Sequence, residues 1–473
     1  MSIYKVPEEY YFRIHHVRPR FKGNVESVLL YMASEITRIG DAPNDAFNSQ
    51  LNTSIRCFPG NANLAQKTIN NWRTEISTLF GLFYEDDNGQ NHAMLRAEEL
   101  AKSNDLVSFF KSFLFYFQYP GAHIKVQELQ KQIEAGIHFK PAQYIIRLLQ
   151  YAEKTEKNHK ECYLTKAEAC YCIFNDLRCT RDNESPDKTW SRIRQNRDCN
   201  LEYEAIGDVI RYAGDILDYM QIANLLTSYN SKEFYLNHNE NETLYLFGRS
   251  KSWFSEYDSI LGKEMPLDVI NQYRCDWFRY VNTKEKDVDF ATDILSFIDN
   301  QENINEKTQK RFKDYLDHLS SFENLKTKDI GDIGESLVIG HEKQRLKEAG
   351  RDDLVRFVVF VPTAYAVGYD VSSRENDASI RNIEVKTTIS SKPIVFSKIH
   401  MSTNEWQAAK SYKDRYYVYR LLISKHEIKL FIMNNPVQLY KDDKIDISPN
   451  NGMDVTFKET AGSYEELLEW ETN

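Results

Sequence analysis

The chain contains no apolar run approaching the roughly 20 residues that a membrane-spanning helix needs, so no membrane association is expected. Its opening, MSIYKVPEEYYFRI, carries charges where a signal peptide needs an apolar stretch. Cysteine is sparse: seven residues (Cys57, Cys162, Cys170, Cys172, Cys179, Cys199 and Cys275), an odd number, are scattered over 473 positions. That excludes a dense disulfide framework and fits reduced thiols in a cytoplasm. Cys170-Tyr171-Cys172 lacks the two-to-four-residue spacing and the second ligand pair of a structural zinc site; buried thiols in a helix interior are expected instead. There is no GxxxxGK[ST] stretch, hence no built-in ATP motor, and no short-period repeat or low-complexity tract. Positive charge is not in excess either: 60 Lys and Arg stand against 70 Asp and Glu, a net charge of −10. A protein that coats nucleic acid by bulk charge is thereby excluded, while local basic surfaces remain open to it.

What is present is material for packed cores, with 41% hydrophobic, 27% charged and 13% aromatic residues over a length that suits two or three domains. Residues 1–155 and 156–298 read as two mainly helical domains with short hairpins, 299–327 as a charged helical connector, and 328–473 as a domain that alternates helix with β-rich runs. The tail after about 440 reads as turn-rich.

Each N-terminal domain shows helices followed by a hairpin. In the first, Ile69, Trp72, Ile76 and Leu79 form an apolar face, with Lys67, Asn70, Asn71, Arg73 and Thr74 on the other side, and Asp86-Asp87-Asn88-Gly89 marks a tight hairpin turn. In the second, a basic segment with Trp190, Arg192, Arg194 and Arg197 precedes a helix over 205–228, and a hairpin is expected from 234–236 and 243–247. Helix plus hairpin is the outline of a winged helix, which lays one helix in the major groove. Asn, Lys, Arg and Thr can read base edges, so Lys67, Asn70, Asn71, Arg73, Arg192 and Arg194 are candidate DNA contacts, opposed by the acids Asp86 and Asp87 at the turn. The arm Arg13–Lys22, with Arg18 and Arg20, is the densest basic patch and is long enough to lie along a groove.

The chemistry concentrates in the last domain. Glu335 in Gly-Asp-Ile-Gly-Glu is expected to open a helix over 336–349, with His341 and Glu342 on its surface. Asp370 follows in Gly-Tyr-Asp, and Ile383-Glu384-Val385-Lys386 lies in a β-run that points Glu384 and Lys386 to one face. An acid and a lysine on a central strand are costly to bury unless they have work or partners. Two hard carboxylates, Asp370 and Glu384, suit Mg²⁺. Lys386 beside them can orient a water and offset charge on a phosphorane-like transition state. Glu335 can hold a second ion or anchor a water.

The order Glu, Gly-Tyr-Asp, Glu-Val-Lys resembles the PD-(D/E)XK nuclease superfamily. More closely, Gly-Asp-Ile-Gly-Glu, Gly-Tyr-Asp, Ile-Glu-Val-Lys-Thr-Thr and Thr403-Asn404-Glu405-Trp406-Gln407-Ala408-Ala409, followed by Tyr416-Tyr417-Val418-Tyr419-Arg420, resemble the nuclease-like domain named after the C-terminus of the plant protein NO VEIN, which is common in bacterial restriction and phage-defence proteins. The resemblance covers residues 328–433 or so. It implies a restriction-endonuclease-like α/β domain with metal ligation by Asp370, Glu384 and the Val385 carbonyl. It further implies Lys386 as the water-handling residue, Glu335 as the helix acid and Glu405 as an accessory on the late helix. Tyr369 stands where the motif name has proline.

The expectation is therefore a multidomain protein, mainly α with winged-helix units in front and a C-terminal restriction-endonuclease-like domain behind. It would act as a cytoplasmic, Mg²⁺-dependent (Mn²⁺ as substitute), site-specific endonuclease on double-stranded DNA, of a Type II, IIS-like restriction system. Alternatives are a modification-dependent, Type IV-like anti-phage nuclease that binds a modified base, and a non-catalytic DNA-binding or interaction protein with a nuclease-like fold. Cutting both strands from one site requires a homodimer, a second nuclease subunit or sequential nicks.

Overall fold

The computed structural model of the chain describes residues 2–17, 24–204, 207–229, 232–284, 288–292, 297, 330–362, 366–391, 394, 397–424, 428–450 and 452–468. These form two compact units, Met1–Lys102 with Leu106–Phe290, and Ser103–Asp105 with Ala291–Asn473. The expected 155/156 boundary falls inside the first unit. The expected connector, 299–327, and the arm residues Arg18 and Arg20 lie outside the described residues.

The first unit runs through one chain order twice. Helix Val25–Ile39 leads to strand Ala42–Pro43, helix Asn44–Cys57 and a helical run over 66–80 that widens to π pitch at Trp72–Ile76, then to the hairpin Phe83–Glu85 and Gln90–Ala93. Ile69, Trp72, Ile76 and Leu79 are buried, as their spacing predicts. Ala42–Pro43 pairs with the second hairpin strand, so the sheet order is first, third, second. Helix Pro141–Thr155, strand Leu164–Thr165, the helices between Lys166 and Ile222, and the hairpin Leu226–Tyr229 and Glu233–Leu236 repeat that order, with Leu164–Thr165 again on the last strand.

The second hairpin thus lies earlier than expected. Gly207–Ile222 is the helix, its continuation turns into the strand Leu226–Tyr229, and Asn241–Arg249 is a helix where a strand was expected. The reason is local: Asn237 accepts the Asn239 N–H and starts a turn, after which Leu244 and Phe247 are buried at helical spacing. Cys170 and Cys172 are buried in the π-turn Cys170–Phe174, and burial pushes both thiols up to about 12, which keeps them neutral.

The second unit is built on a six-stranded mixed sheet, in the order Ser463–Glu465, Ile428–Asn434, Tyr416–Ser424, Ile380–Ser390, Val371–Arg374, Val359–Phe360. The two longest strands, Ile380–Ser390 and Tyr416–Ser424, run parallel at its centre. A smaller sheet of Lys398–Ser402, Gly452–Phe457 and Ile445–Pro449 supplies Met401, Val455 and Phe457 to a core with Trp406, Val418 and Phe431. The tail expected to be turn-rich is therefore a paired hairpin. Helix Ile330–Glu348 covers the other face, starting earlier than expected, so Glu335 lies in its second turn.

His341 and Glu342, expected on that helix's surface, are both fully buried. Glu342 Oε1 accepts from Tyr419 Oη at 2.6 Å and Arg381 at 3.2 Å, and Oε2 from Ser373 Oγ and Arg345, each at 2.7 Å. Three of these four partners lie in the sheet, 31 to 77 residues away, and nothing on the helix itself announces them. Burial pushes the Glu342 carboxyl up, but Arg345 and Arg381 prevail and hold it at about 2, against an ordinary 4.5. Its ionisation therefore stabilises the fold fully above pH 4.5, and that contribution is lost as pH falls towards 2. Glu342→Gln is expected to lower the unfolding free energy of this unit by about 3 kcal/mol at pH 7. Urea melts across pH should show the deficit shrinking between pH 4.5 and 2.

Candidate active site and nucleic-acid interface

Strand register brings the two acids together. Val371 pairs with Ile383 in the antiparallel ladder, so the next pair outward sets Asp370 across from Glu384. Asp370 N–H donates to the Ile383 carbonyl at 2.9 Å, and Asp370 Oδ2 accepts the Val385 N–H at 2.8 Å. Lys386, two residues after Glu384 and on its face, places Nζ 2.7 Å from Glu384 Oε1 and 2.8 Å from Glu405 Oε2. Glu405 comes from helix Thr403–Tyr412, where it closes a reciprocal cap with Ser402. That Ser-x-x-Glu signature is legible in the sequence, and with Ser402 it identifies a supporting residue that motif reading missed.

Two glycines set the close approaches. Gly368 takes φ +80°, and a Cβ there would lie 2.6 Å from the Asn404 carbonyl and 2.8 Å from Ala408 Cβ, so the Gly-Tyr-Asp turn lies directly against the Glu405 helix. Tyr416 Oη donates to the Gly368 carbonyl at 2.9 Å and secures it. A Cβ on Gly334 would fall 1.8 Å from Thr387 Oγ1. Glycine alone therefore lets helix Ile330–Glu348 descend onto the strand residue that follows Lys386. Asp370, Glu384, Lys386 and Glu405 thus converge on one face of the strand, and Glu335 starts from the helix over the other.

Charge in the cluster is unbalanced. Burial pushes Glu384 well up, against the pull of Lys386, and Asp370 and Glu405 push it further. Burial also raises Asp370, opposed by the Val385 N–H and Lys386. For Lys386, burial works against the charged form, but Glu384 and Glu405 outweigh it and hold the ammonium protonated. Three carboxyls sharing one ammonium leave two negative charges uncompensated when all are ionised, a deficit that suits a divalent cation. Among the described residues no set of three His, Cys, Asp or Glu side chains forms a ready-made shell. Asp370 and Glu384 still meet the need of Mg²⁺, which takes one or two carboxylates and keeps its waters.

In the first unit, Lys67, Asn71 and Thr74 are exposed along one stripe of the helical run over 66–80. Asn70 and Arg73 are tied to Asn52 of the preceding helix, at 3.5 and 3.0 Å. The hairpin tip is acidic: Asp86 Oδ1 accepts the Asn88 and Gln90 N–H groups, and His92 sits between Asp41 and Asp86. Arg192 and Arg194, candidates for DNA contact, are both engaged in ion pairs within the first unit. Arg192 is bound to Glu184 and lies 3.6 Å from Asp176, with a side chain only 13% exposed. Arg194 holds Glu161 at 2.6 Å and Glu156 at 3.5 Å.

A family model described as "Restriction endonuclease BpuJI - N terminal" matches residues 4–278. A second, "Protein NO VEIN, C-terminal", matches residues 334–433, the segment whose motifs carry that resemblance. Among solved structures, "Crystal structure of pyrene- and phenanthrene-modified DNA in complex with the BpuJ1 endonuclease binding domain" is 22% identical, covers 58% of this chain and 96% of that one, and has a TM-score of 0.48. No curated protein matches.

Gly334→Ala is expected to destabilise the second unit by about 1–3 kcal/mol through overlap with Thr387. Adding Thr387→Ala, which removes the overlapping oxygen, should recover at least half of that loss in thermal melts.

Proposed function

The chain belongs to the family whose model is described as restriction endonuclease BpuJI, N terminal, and from that membership we propose that it is a Mg²⁺-dependent endonuclease on double-stranded DNA. In this reading the first unit selects the site and the second cuts beside it, in the manner of a IIS-like restriction enzyme. The observation that carries the reading is the cluster of half-buried Asp370, Lys386 and Glu405 around the buried Glu384, with its shortage of positive charge. A strand buried for stability alone has no use for two facing acids.

Asp370, Glu384 and the Val385 carbonyl would hold Mg²⁺, with Mn²⁺ as a substitute. When bound, the ion supplies Lewis-acid polarisation of the phosphate and a more acidic water. Lys386, kept protonated between two acids, orients the attacking water and offsets the charge that grows on phosphate oxygens as one P–O bond forms and the other breaks. Glu335, on the helix over the other face, is assigned a water-anchoring role by the resemblance alone. The second unit has the helix, antiparallel strands and parallel central pair of a PD-(D/E)XK domain, which supports this assignment.

The twice-repeated helix–strand–helix–hairpin order supports two winged helices. Lys67, Asn71 and Thr74 form the exposed stripe that would face base edges and phosphate in the major groove. With one catalytic cluster per chain, cutting both strands would take a second copy, a partner nuclease subunit or two successive nicks.

The test is incubation with Mg²⁺ and matched methylated and unmethylated long DNAs, followed by sequencing of the ends. Cutting at a fixed offset from one sequence supports the reading, and cutting of methylated DNA alone assigns the modification-dependent form. Asp370→Ala and Lys386→Ala should each lower cleavage at least about 100-fold with DNA affinity unchanged in gel shifts; wild-type cleavage by either removes these roles. Lys67→Ala should weaken binding and reduce the salt slope by about 1.

A further inference from the structure

Lys386 is a cation that already occupies the carboxylate a divalent ion would need. Its Nζ is shared between Glu384 Oε1 at 2.7 Å and Glu405 Oε2 at 2.8 Å, two acids delivered by separate elements. A divalent ion on either oxygen of Glu384 sets two cations on one carboxylate, and their repulsion favours transfer of the ammonium to Glu405. Glu384 is only 3% exposed and the Lys386 side chain is one-quarter exposed, so an ammonium released there without a partner is left partly desolvated and unpaired.

Glu405 is placed to prevent that. Its Oε2 also accepts the Ser402 N–H at 3.0 Å, while Ser402 Oγ accepts the Glu405 N–H at 3.3 Å. The carboxylate is thus fixed by the start of its own helix, and that helix is seated on the Gly368 turn.

We propose that Glu405 is a positioning residue that retains Lys386 when a divalent cation takes Glu384, so that the two cations exchange on Glu384 and neither charge is left unpaired. The proposal rests on the nuclease reading above, since it requires an ion at Asp370 and Glu384. It makes Glu405 act through Lys386 and not on the ion.

Calorimetric titration of Mn²⁺ into the full-length, DNA-free chain tests this without turnover. The proteins are the wild type, Glu405→Gln, Lys386→Met and the double variant. Glutamine keeps the cap at Ser402 and removes only the charge. Glu405→Gln should bind Mn²⁺ about ten-fold more weakly, the scale of one partly buried charge pair, because Lys386 then stays on Glu384. Lys386→Met should bind more tightly than wild type, and the double variant should match Lys386→Met. Equal affinity of wild type and Glu405→Gln overturns the proposal. So does an equal loss in the Lys386→Met background, which would make Glu405 a ligand or a purely structural support. If neither wild type nor Lys386→Met binds Mn²⁺, the metal-dependent reading itself falls, and this proposal with it.

Discussion

Asp370 and Glu384 face one another across neighbouring strands, and the second unit is arranged around holding that pair in place. Like charges directly opposite in a ladder are destabilising, and burial adds a desolvation penalty of several kcal/mol per ion. The pair persists because three close supports converge on it. The turn before Asp370 is pressed against the Glu405 helix at Gly368, the opposite helix descends onto Thr387 at Gly334, and Ser402 fixes Glu405. At each glycine, a side chain would push an element away and loosen the geometry of a charged site that tolerates little error.

The opposite face of the same sheet shows what a network built for stability looks like. Glu342 meets Arg345 and Arg381, Arg381 also meets Glu375, and the hydroxyls of Ser373 and Tyr419 satisfy the remaining acceptor capacity. Two acids and two guanidiniums balance, and the Glu342 carboxyl is held far below its ordinary range. The Asp370 cluster sets three acids against one ammonium, and its two central acids are pushed up instead. Both networks sit in one sheet under one solvent, so the contrast reflects composition. The balanced one lowers the free energy of the fold, and the unbalanced one is left with two negative charges uncompensated when its acids are ionised.

How much of this was legible follows from the distance over which each signal acts. The central strands, the Glu384–Lys386 alternation and the Asn88-Gly89 hairpin are local patterns, and they stand where the periodicity puts them. The apolar face of the helical run over 66–80 is likewise written in adjacent turns. His341 and Glu342 were misread because their partners come from strands and from the tail, including the Leu468 N–H that reaches His341. The Arg192 and Arg194 segment looked like a groove-facing basic patch because the acids that bind it, Asp176, Glu184, Glu156 and Glu161, lie on other elements. The tail hairpin was missed because its strands are short and bury one face only through the packing of Val455 and Phe457 against distant aromatics.

The two copies of the repeated topology in the first unit are unequal in charge, and this bears on how an acidic chain can meet a polyanion. The first presents Lys67, Asn71 and Thr74 on the helix before its hairpin. At the equivalent place the second has Gly207–Ile222, with Asp215 and Asp218 half-buried and Asp218 bound to Lys166. Of its nearby arginines, Arg192 and Arg194 are paired with acids of the same unit, while Arg211 is exposed on this helix. A shared chain order therefore does not confer a shared surface. A protein with a net charge of −10 gains little from non-specific attraction, so the proposed contact with DNA would have to be concentrated where a few side chains are presented together. In the proposed reading, the exposed stripe Lys67, Asn71 and Thr74 of the first copy would supply such a contact.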